Sequence, residues 1–267
     1  MLGMADFEVE GDRLGRVQSL VRAFGLLDTL AKHDDGLTLT QVAALAKLPR
    51  STAHRLLTTM AALRYVEFDP ANNCWMIGVQ AFALGSAFVQ VRDLGRLGRP
   101  IMRSMMVEAN EIVNIAVSDT EGVRYVGQVR PIDQRASTCQ PGTHLPMHTT
   151  ASGKVLLAHW KATELDSFLQ GRPLARRTYA SIVEKSALVL QLEQIRSRGF
   201  AIDDQENSTG MRCVAAPVFD RNNRVRASLS ISGSIARLPD QRLNTLGHSL
   251  AAAARRMSED IGAVLAA

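Results

Sequence analysis

The chain has 267 residues, 46% hydrophobic and 21% charged, with a formal net charge of +5. That balance fits a folded protein of one large or two ordinary domains and excludes a disordered, charge-dominated chain. No uninterrupted apolar run reaches transmembrane length, and Cys74, Cys139 and Cys213 are too widely spaced for a disulfide framework or a CxxC metal pair.

The opening stretch, MLGMADFEVEGDRLGR, is acidic before it is basic and lacks the order of a signal peptide, so a cytoplasmic location is expected. The positive charge permits an anionic partner without requiring one, because basic residues are scattered along the whole chain. Over residues 14–32, Val17, Leu20, Val21, Phe24, Leu27 and Leu30 recur at three- and four-residue spacing, predicting an amphipathic helix that HDDG ends. Thr38 followed by Gln41 has the pattern of a capping box, opening a second helix with Val42, Ala43, Leu45 and Ala46 inward. Pro49 marks the start of a third, with Ala53, Leu56, Leu57, Met60 and Leu63 on one face. Ser51, Arg55, Thr58 and Thr59 point the other way, flanked by Thr52 and His54. RYVEF and CWMIG then read as strands around the turn DPANN. Three helices and a hairpin make a winged helix-turn-helix, assigned to residues 14–78.

Residues 79–96 are read as a linker helix, with Val79, Phe82, Leu84, Phe88 and Val91 as apolar surface. A second domain, 97–262, starts with a helix containing Ile101, Met102 and Met105, followed by a hairpin around DTEG. After Gly142, Thr149 or Thr150 is placed to cap a helix carrying Val155, Leu156 and Leu157. A helix over 184–198, an extended GFAIDD, two strands around DRNN and a helix over 239–262 complete an α/β or α+β domain with a largely antiparallel sheet.

A recognition helix needs one face fixed by its own domain and another free to approach base edges. Arg55 is the candidate for a bidentate contact to guanine, and Ser51, Thr52 and His54 for base or phosphate contacts at the helix start. Arg50 adds charge. Gln41 and the free amides of the second helix suit a phosphate, and Asn72 and Asn73 stand at the wing tip. The competing reading is a packed helical hairpin with solvated arginines. In the second domain Ser230 and Ser232 share a strand face, Cys213 lies in the adjacent predicted strand, and Asp203 precedes both. The turn GTHLPMH contributes Gly142, Leu145, Met147 and His148. Hydroxyls and amides suit a small organic acid. The alternative for the serines is ordinary strand packing, and for Cys213 a small buried hydrophobe.

The stretch from RVQSLVRAFGLLDTL through LTLTQVAALAKLPRSTAHRLLTTMAALRYVEFD resembles the IclR-type transcriptional regulators. GTHLPMHTTASGKVLLA and FAIDDQENSTGMRCVAAPVFDRNNRVRASLSISG continue the resemblance in family order, to about residue 260. The resemblance implies an N-terminal winged helix-turn-helix joined to a C-terminal GAF-like α/β effector-binding domain. It also implies a homodimer or dimer of dimers on double-stranded DNA, and a ligand cavity drawing on Asp203, Cys213, Ser230 and Ser232.

Enzyme chemistry finds weaker footing. SGK at 152–154 lacks the GxxxxGK[ST] phosphate loop, and no GxSxG nucleophile elbow is present. Cys213 with His144 or His148 has no recognised local signature, and Pro146 separates those histidines as metal ligands. The expectation is a ligand-responsive, non-enzymatic regulator without metal, cofactor or membrane partner. The alternatives are a small-molecule-binding enzyme with an accessory DNA-binding head and a structural DNA-associated protein.

Overall fold

The computed structural model describes residues 17–91, 94–119, 122–134, 139–171 and 173–264, which form two compact units divided between Phe88 and Val89. Residues 14–16 of the first expected helix, Thr120 and Glu121 of the DTEG turn, and the side chains of Phe88 and Val91 lie outside the described residues.

The first unit contains α1 (Gln18–Leu30), α2 (Leu39–Leu45), α3 (Arg50–Ala62) and an antiparallel pair, β1 (Val66–Asp69) and β2 (Cys74–Ile77). The expected capping box at α2 is complete. Thr38 Oγ1 accepts from the Gln41 amide at 3.4 Å, and the Thr38 amide donates to Gln41 Oε1 at 2.9 Å. Lys47 and Arg64 end α2 and α3 at positive φ, letting Leu48 donate to the Ala43 carbonyl and Tyr65 to that of Met60. Leu37 and Trp75 exchange backbone hydrogen bonds at 3.0 and 2.8 Å, fastening the segment before α2 to the wing.

Leu26, Leu30, Val42, Ala53, Leu57, Met60, Val66 and Trp75 form the core of this unit. The apolar stripe of α1 differs from expectation. Val17, Leu20, Val21 and Phe24 (60% exposed) stay in solvent, and Leu26, absent from the expected stripe, is buried. Leu26 and Leu30, both in the C-terminal half of α1, are its buried residues, with Ala23 and Leu27 packed partly against this core. Leu45 is also exposed, and so is Leu63, which lies one residue beyond α3 and leaves its face. The helix α4 (Val79–Val91) exposes Val79, Phe82 and Leu84.

The second unit is built on an antiparallel sheet of order β5-β4-β3-β8-β7-β6. Its strands are β3 (Ile112–Ser118), β4 (Val123–Val129), β5 (His144–Leu145), β6 (Ala201–Asp204), β7 (Met211–Phe219) and β8 (Val225–Ser234). Its helices are α5 (Leu94–Ala109), α6 (Ala151–Ala158), α7 (Ala162–Gly171), α8 (Lys185–Arg198) and α9 (Asp240–Val264). Pro100 lies inside α5, which begins before the expected start, and β5 and α7 are elements that the sequence pattern did not single out.

Strand alternation divides the residues between two cores. Val113, Ile115, Val214, Ala216, Leu229 and Ile231 face α5 and α9. Ala116, Tyr125 and Ala215 face the other way, with Val155, Leu156, Leu188 and Leu192 of α6 and α8. Gly247 keeps α9 close to the sheet, since a Cβ there would stand 2.5 Å from the Phe200 ring. Thr150 caps α6 by accepting from the Gly153 amide at 3.0 Å. All eight residues of α6 are buried, and a Cβ on Gly153 would overlap the Met147 carbonyl. The GTHLPMH turn and α6 are therefore fixed against each other.

Candidate functional site

In the first unit α3 buries Ala53, Leu57 and Met60 and exposes Arg50, Ser51, His54, Arg55, Thr58 and Thr59, with Thr52 between the two faces. Pro49 precedes its first turn and accepts from the Ala53 amide, so the amides of Arg50, Ser51 and Thr52 have no helical acceptor. The result is a cationic face with free donors at a helix N-terminus, the arrangement that suits phosphate. Gln41 lies exposed in the first turn of α2, its amide oxygen accepting from the Thr38 amide and hydroxyl. At the wing tip Asp69 accepts from the Ala71 amide at 2.9 Å and from Asn72 Nδ2 at 2.6 Å. Asn73 adopts φ +54. Asn72 is thus partly committed to the turn, whereas the Asn73 side chain is exposed and uncommitted.

In the second unit the sheet face under α6 carries a polar row inside an apolar core. Register pairs Asp203 with Cys213, Cys213 with Ser232, and Asn114 with both Ser230 and Gln128. Gln128 Nε2 donates to Asn114 Oδ1 at 2.9 Å and to the Cys139 carbonyl at 2.9 Å. Asn114 Nδ2 donates to Ser232 Oγ at 3.4 Å, and Cys213 Sγ donates to the same oxygen at 3.2 Å. Ser232 therefore accepts twice and keeps its own proton to give. Ser230 is 1% exposed and its hydroxyl has no partner; the buried hydroxyl of Thr149 is also unpartnered. Buried hydroxyls without partners are rare and call for an explanation.

The surrounding groups set the electrostatics. Asp203 Oδ1 accepts from the Glu206 amide at 2.7 Å and the Asn207 amide at 3.3 Å. Burial pushes its carboxyl up to about 7, against the pull of Lys154. Lys154 is wholly buried and donates to Glu206 and, at 2.6 Å, to the Ile202 carbonyl. Burial also raises the Glu206 carboxyl. Burial, and then the neighbouring Asp203 and Cys139, push the Cys213 thiol well up. Burial does the same for the Tyr125 hydroxyl, which lies beside Cys139, Cys213 and Ser152.

The structure thus groups Asp203, Cys213, Ser230 and Ser232, as the sequence reading places them. Leu145 and Met147 belong to the apolar core around this face. Gly142 is exposed in its turn at φ +93, and buried His148 bonds through Nε2 to the Ala175 carbonyl at 3.0 Å. Asn114, Tyr125, Gln128, Ser152, Lys154 and Glu206 were not singled out from sequence. The alternation within β3 and β4 marks the faces of Asn114 and Tyr125, but only the register shows that they share a face with the serines.

Comparison with known proteins matches residues 19–70 to the IclR helix-turn-helix domain and residues 86–259 to the bacterial transcriptional regulator IclR C-terminal domain. The chain belongs to the IclR family of bacterial transcriptional regulators. It is 38% identical over 247 residues to the transcriptional repressor IclR of Escherichia coli K12, covering 91% of this chain and 90% of that one. It is 36% identical over 244 residues to the HTH-type transcriptional regulator BhcR of Paracoccus denitrificans, covering 91% and 87%. The crystal structure of a putative transcriptional regulator from Rhodococcus sp. RHA1 superposes with a TM-score of 0.81 at 27% identity, over 93% of this chain and 100% of that one. As an IclR-family member, the chain is a DNA-binding, ligand-responsive regulator with an N-terminal helix-turn-helix domain and a C-terminal α/β domain.

Proposed function

We propose that this IclR-family chain reads duplex operator DNA with the exposed face of α3 and the wing, and that a small organic acid on the serine face of the sheet modulates that binding. Arg55 takes base readout, since its guanidinium matches the paired acceptors of guanine. Ser51, Thr52 and His54 contact bases or backbone beside it. Arg50, Gln41 and the free amides of α2 hold phosphates, and Asn72 and Asn73 meet the backbone or minor groove. The acid rests on Ser230, Ser232, Cys213 and Asp203, with Leu145 and Met147 as apolar wall and Gly142 and His148 in the closing turn.

The observation that carries the ligand reading is the buried, unpartnered Ser230 hydroxyl beside a Ser232 with a proton to spare. Modulation requires that the acid prefer one of two arrangements of the regulator. Residues 79–96 are the proposed connection between a head of 14–78 and an effector domain of 97–262. The exposed apolar side chains of α1 and α4 support assembly into a homodimer or a dimer of dimers. We read the protein as cytoplasmic; among the described residues no helix is long and apolar enough to cross a membrane. Turnover is not expected. The Cys213 thiol is held away from the thiolate form a nucleophile needs, and the His148 ring already bonds the Ala175 carbonyl.

Selection of bound fragments from the source genome across a salt series tests the reading. Saturable, sequence-selective binding that changes when a small carboxylate is added supports it; binding without sequence preference at every salt concentration rejects it.

A further inference from the structure

The serine face holds more acid groups than cations. Asp203 is 3% exposed, and Oδ1 of its carboxyl is taken by the Glu206 and Asn207 amides. Among the described residues, the hydrogen bonds to this carboxyl fall on Oδ1, and none reaches Oδ2. Each element packed around Asp203 contributes a group. From α6 comes Lys154, whose ammonium is already given to Glu206 and the Ile202 carbonyl. Glu206 comes from the following turn, Cys213 from β7, and Ser232 from β8. Neighbouring Asp204 pairs with Arg212 instead. His148 bonds to Ala175, and burial lowers its pKa, favouring the neutral ring. Among the described residues, Lys154 is the cation that acts on Asp203.

A bound carboxylate would make a third acid group against one ammonium, in a space where an unpaired charge is costly. A proton resolves the imbalance, because a protonated Asp203 becomes a donor facing the ligand instead of a second anion. We propose that Asp203 takes up one proton from solvent when a monocarboxylate occupies the site, so that side chain and ligand share a single negative charge. The site then selects monocarboxylates over dianions such as dicarboxylates or phosphate, and binds them more tightly as pH falls. This rests on reading the face as an acid receptor.

Titration calorimetry of the full chain with propanoate, 2-oxobutanoate and benzoate, at about pH 6 and about pH 8, tests it. Each pH is run in two buffers of different ionisation enthalpy. The expected result is roughly tenfold weaker binding at the higher pH, with about one proton taken up per site there and almost none at the lower pH. Asp203→Asn should lose both the uptake and the pH dependence. Wild-type binding of equal affinity at both pH values, with no buffer dependence, overturns proton uptake and leaves the acid receptor standing. Uptake that persists in Asp203→Asn also overturns it, by assigning the proton elsewhere. Failure of all three acids to bind at either pH overturns the receptor reading and this proposal with it.

Discussion

Lys154, wholly buried in α6, donates its ammonium to Glu206 in the turn that follows β6. Removing one partner strands the other's charge away from water. Lys154→Met should therefore destabilise the protein by about 3–5 kcal/mol. Adding Glu206→Gln should recover a large part of that loss. Urea unfolding followed by fluorescence of Trp160, in the second unit, measures both once Trp75 is replaced by Phe; a double variant no better than the single would show that the pair is not the cause.

Ser230→Ala separates a binding hydroxyl from a structural one. Its oxygen has no partner, so its loss should leave stability unchanged or raise it by about 1 kcal/mol. Carboxylate affinity should fall by about 1 kcal/mol, roughly fivefold. A clear loss of stability with unchanged ligand binding would assign Ser230 to packing.

Asp203 predicts how stability follows pH. Its carboxyl sits at about 7 when folded, against an ordinary value of 3.8. Between those values the folded chain holds a proton that the unfolded chain has released, so stability falls as pH rises. The slope is at most about 1.4 kcal/mol per pH unit, fading above about pH 7. Thermal melts of wild type and Asp203→Asn across this window should diverge, with the variant losing that share of the slope. Parallel curves would contradict the raised value.

The capping box makes α2 dependent on one hydroxyl. Thr38→Ala removes the acceptor for the Gln41 amide and should cost about 1 kcal/mol in the first unit. Trp75, buried in that unit's core, reports its unfolding once Trp160 is replaced by Phe.

Arg55 and Arg50 should behave differently on DNA. Arg55→Ala is expected to lose about 1–3 kcal/mol on a selected site and far less on random sequence. Arg50→Ala should weaken all sequences alike and reduce the salt slope by about one. Fluorescence anisotropy with specific and scrambled duplexes over a salt series separates the two roles.

Local chemistry was legible from sequence wherever it was local. The Thr38–Gln41 box, the Thr150 cap and the wing around DPANN are each written within a few neighbouring residues. The ends of α2 and α3 were not, because Lys47 and Arg64 take the left-handed conformation without the glycine that usually announces it. The α1 stripe was visible, but periodicity cannot tell a face that meets this chain's core from one that does not. Period-two alternation put Ser230 and Ser232 together; only the sheet order could add Asn114, more than a hundred residues away. Lys154 is not legible as a buried group, because a lysine among apolar residues reads as surface until its burial beside Glu206 is seen.

The strand β8 alternates Ser228, Ser230 and Ser232 with Ala227, Leu229 and Ile231, and the two sets face opposite cores. One set meets the polar row and the other the packing against α5 and α9. With the ligand on the serines as proposed, such a regulator can acquire a taste for a new metabolite through alternate positions of a single strand, while the interleaved positions go on holding the domain together. Chemical preference and structural integrity are inherited on the same ten residues, yet they are free to drift apart.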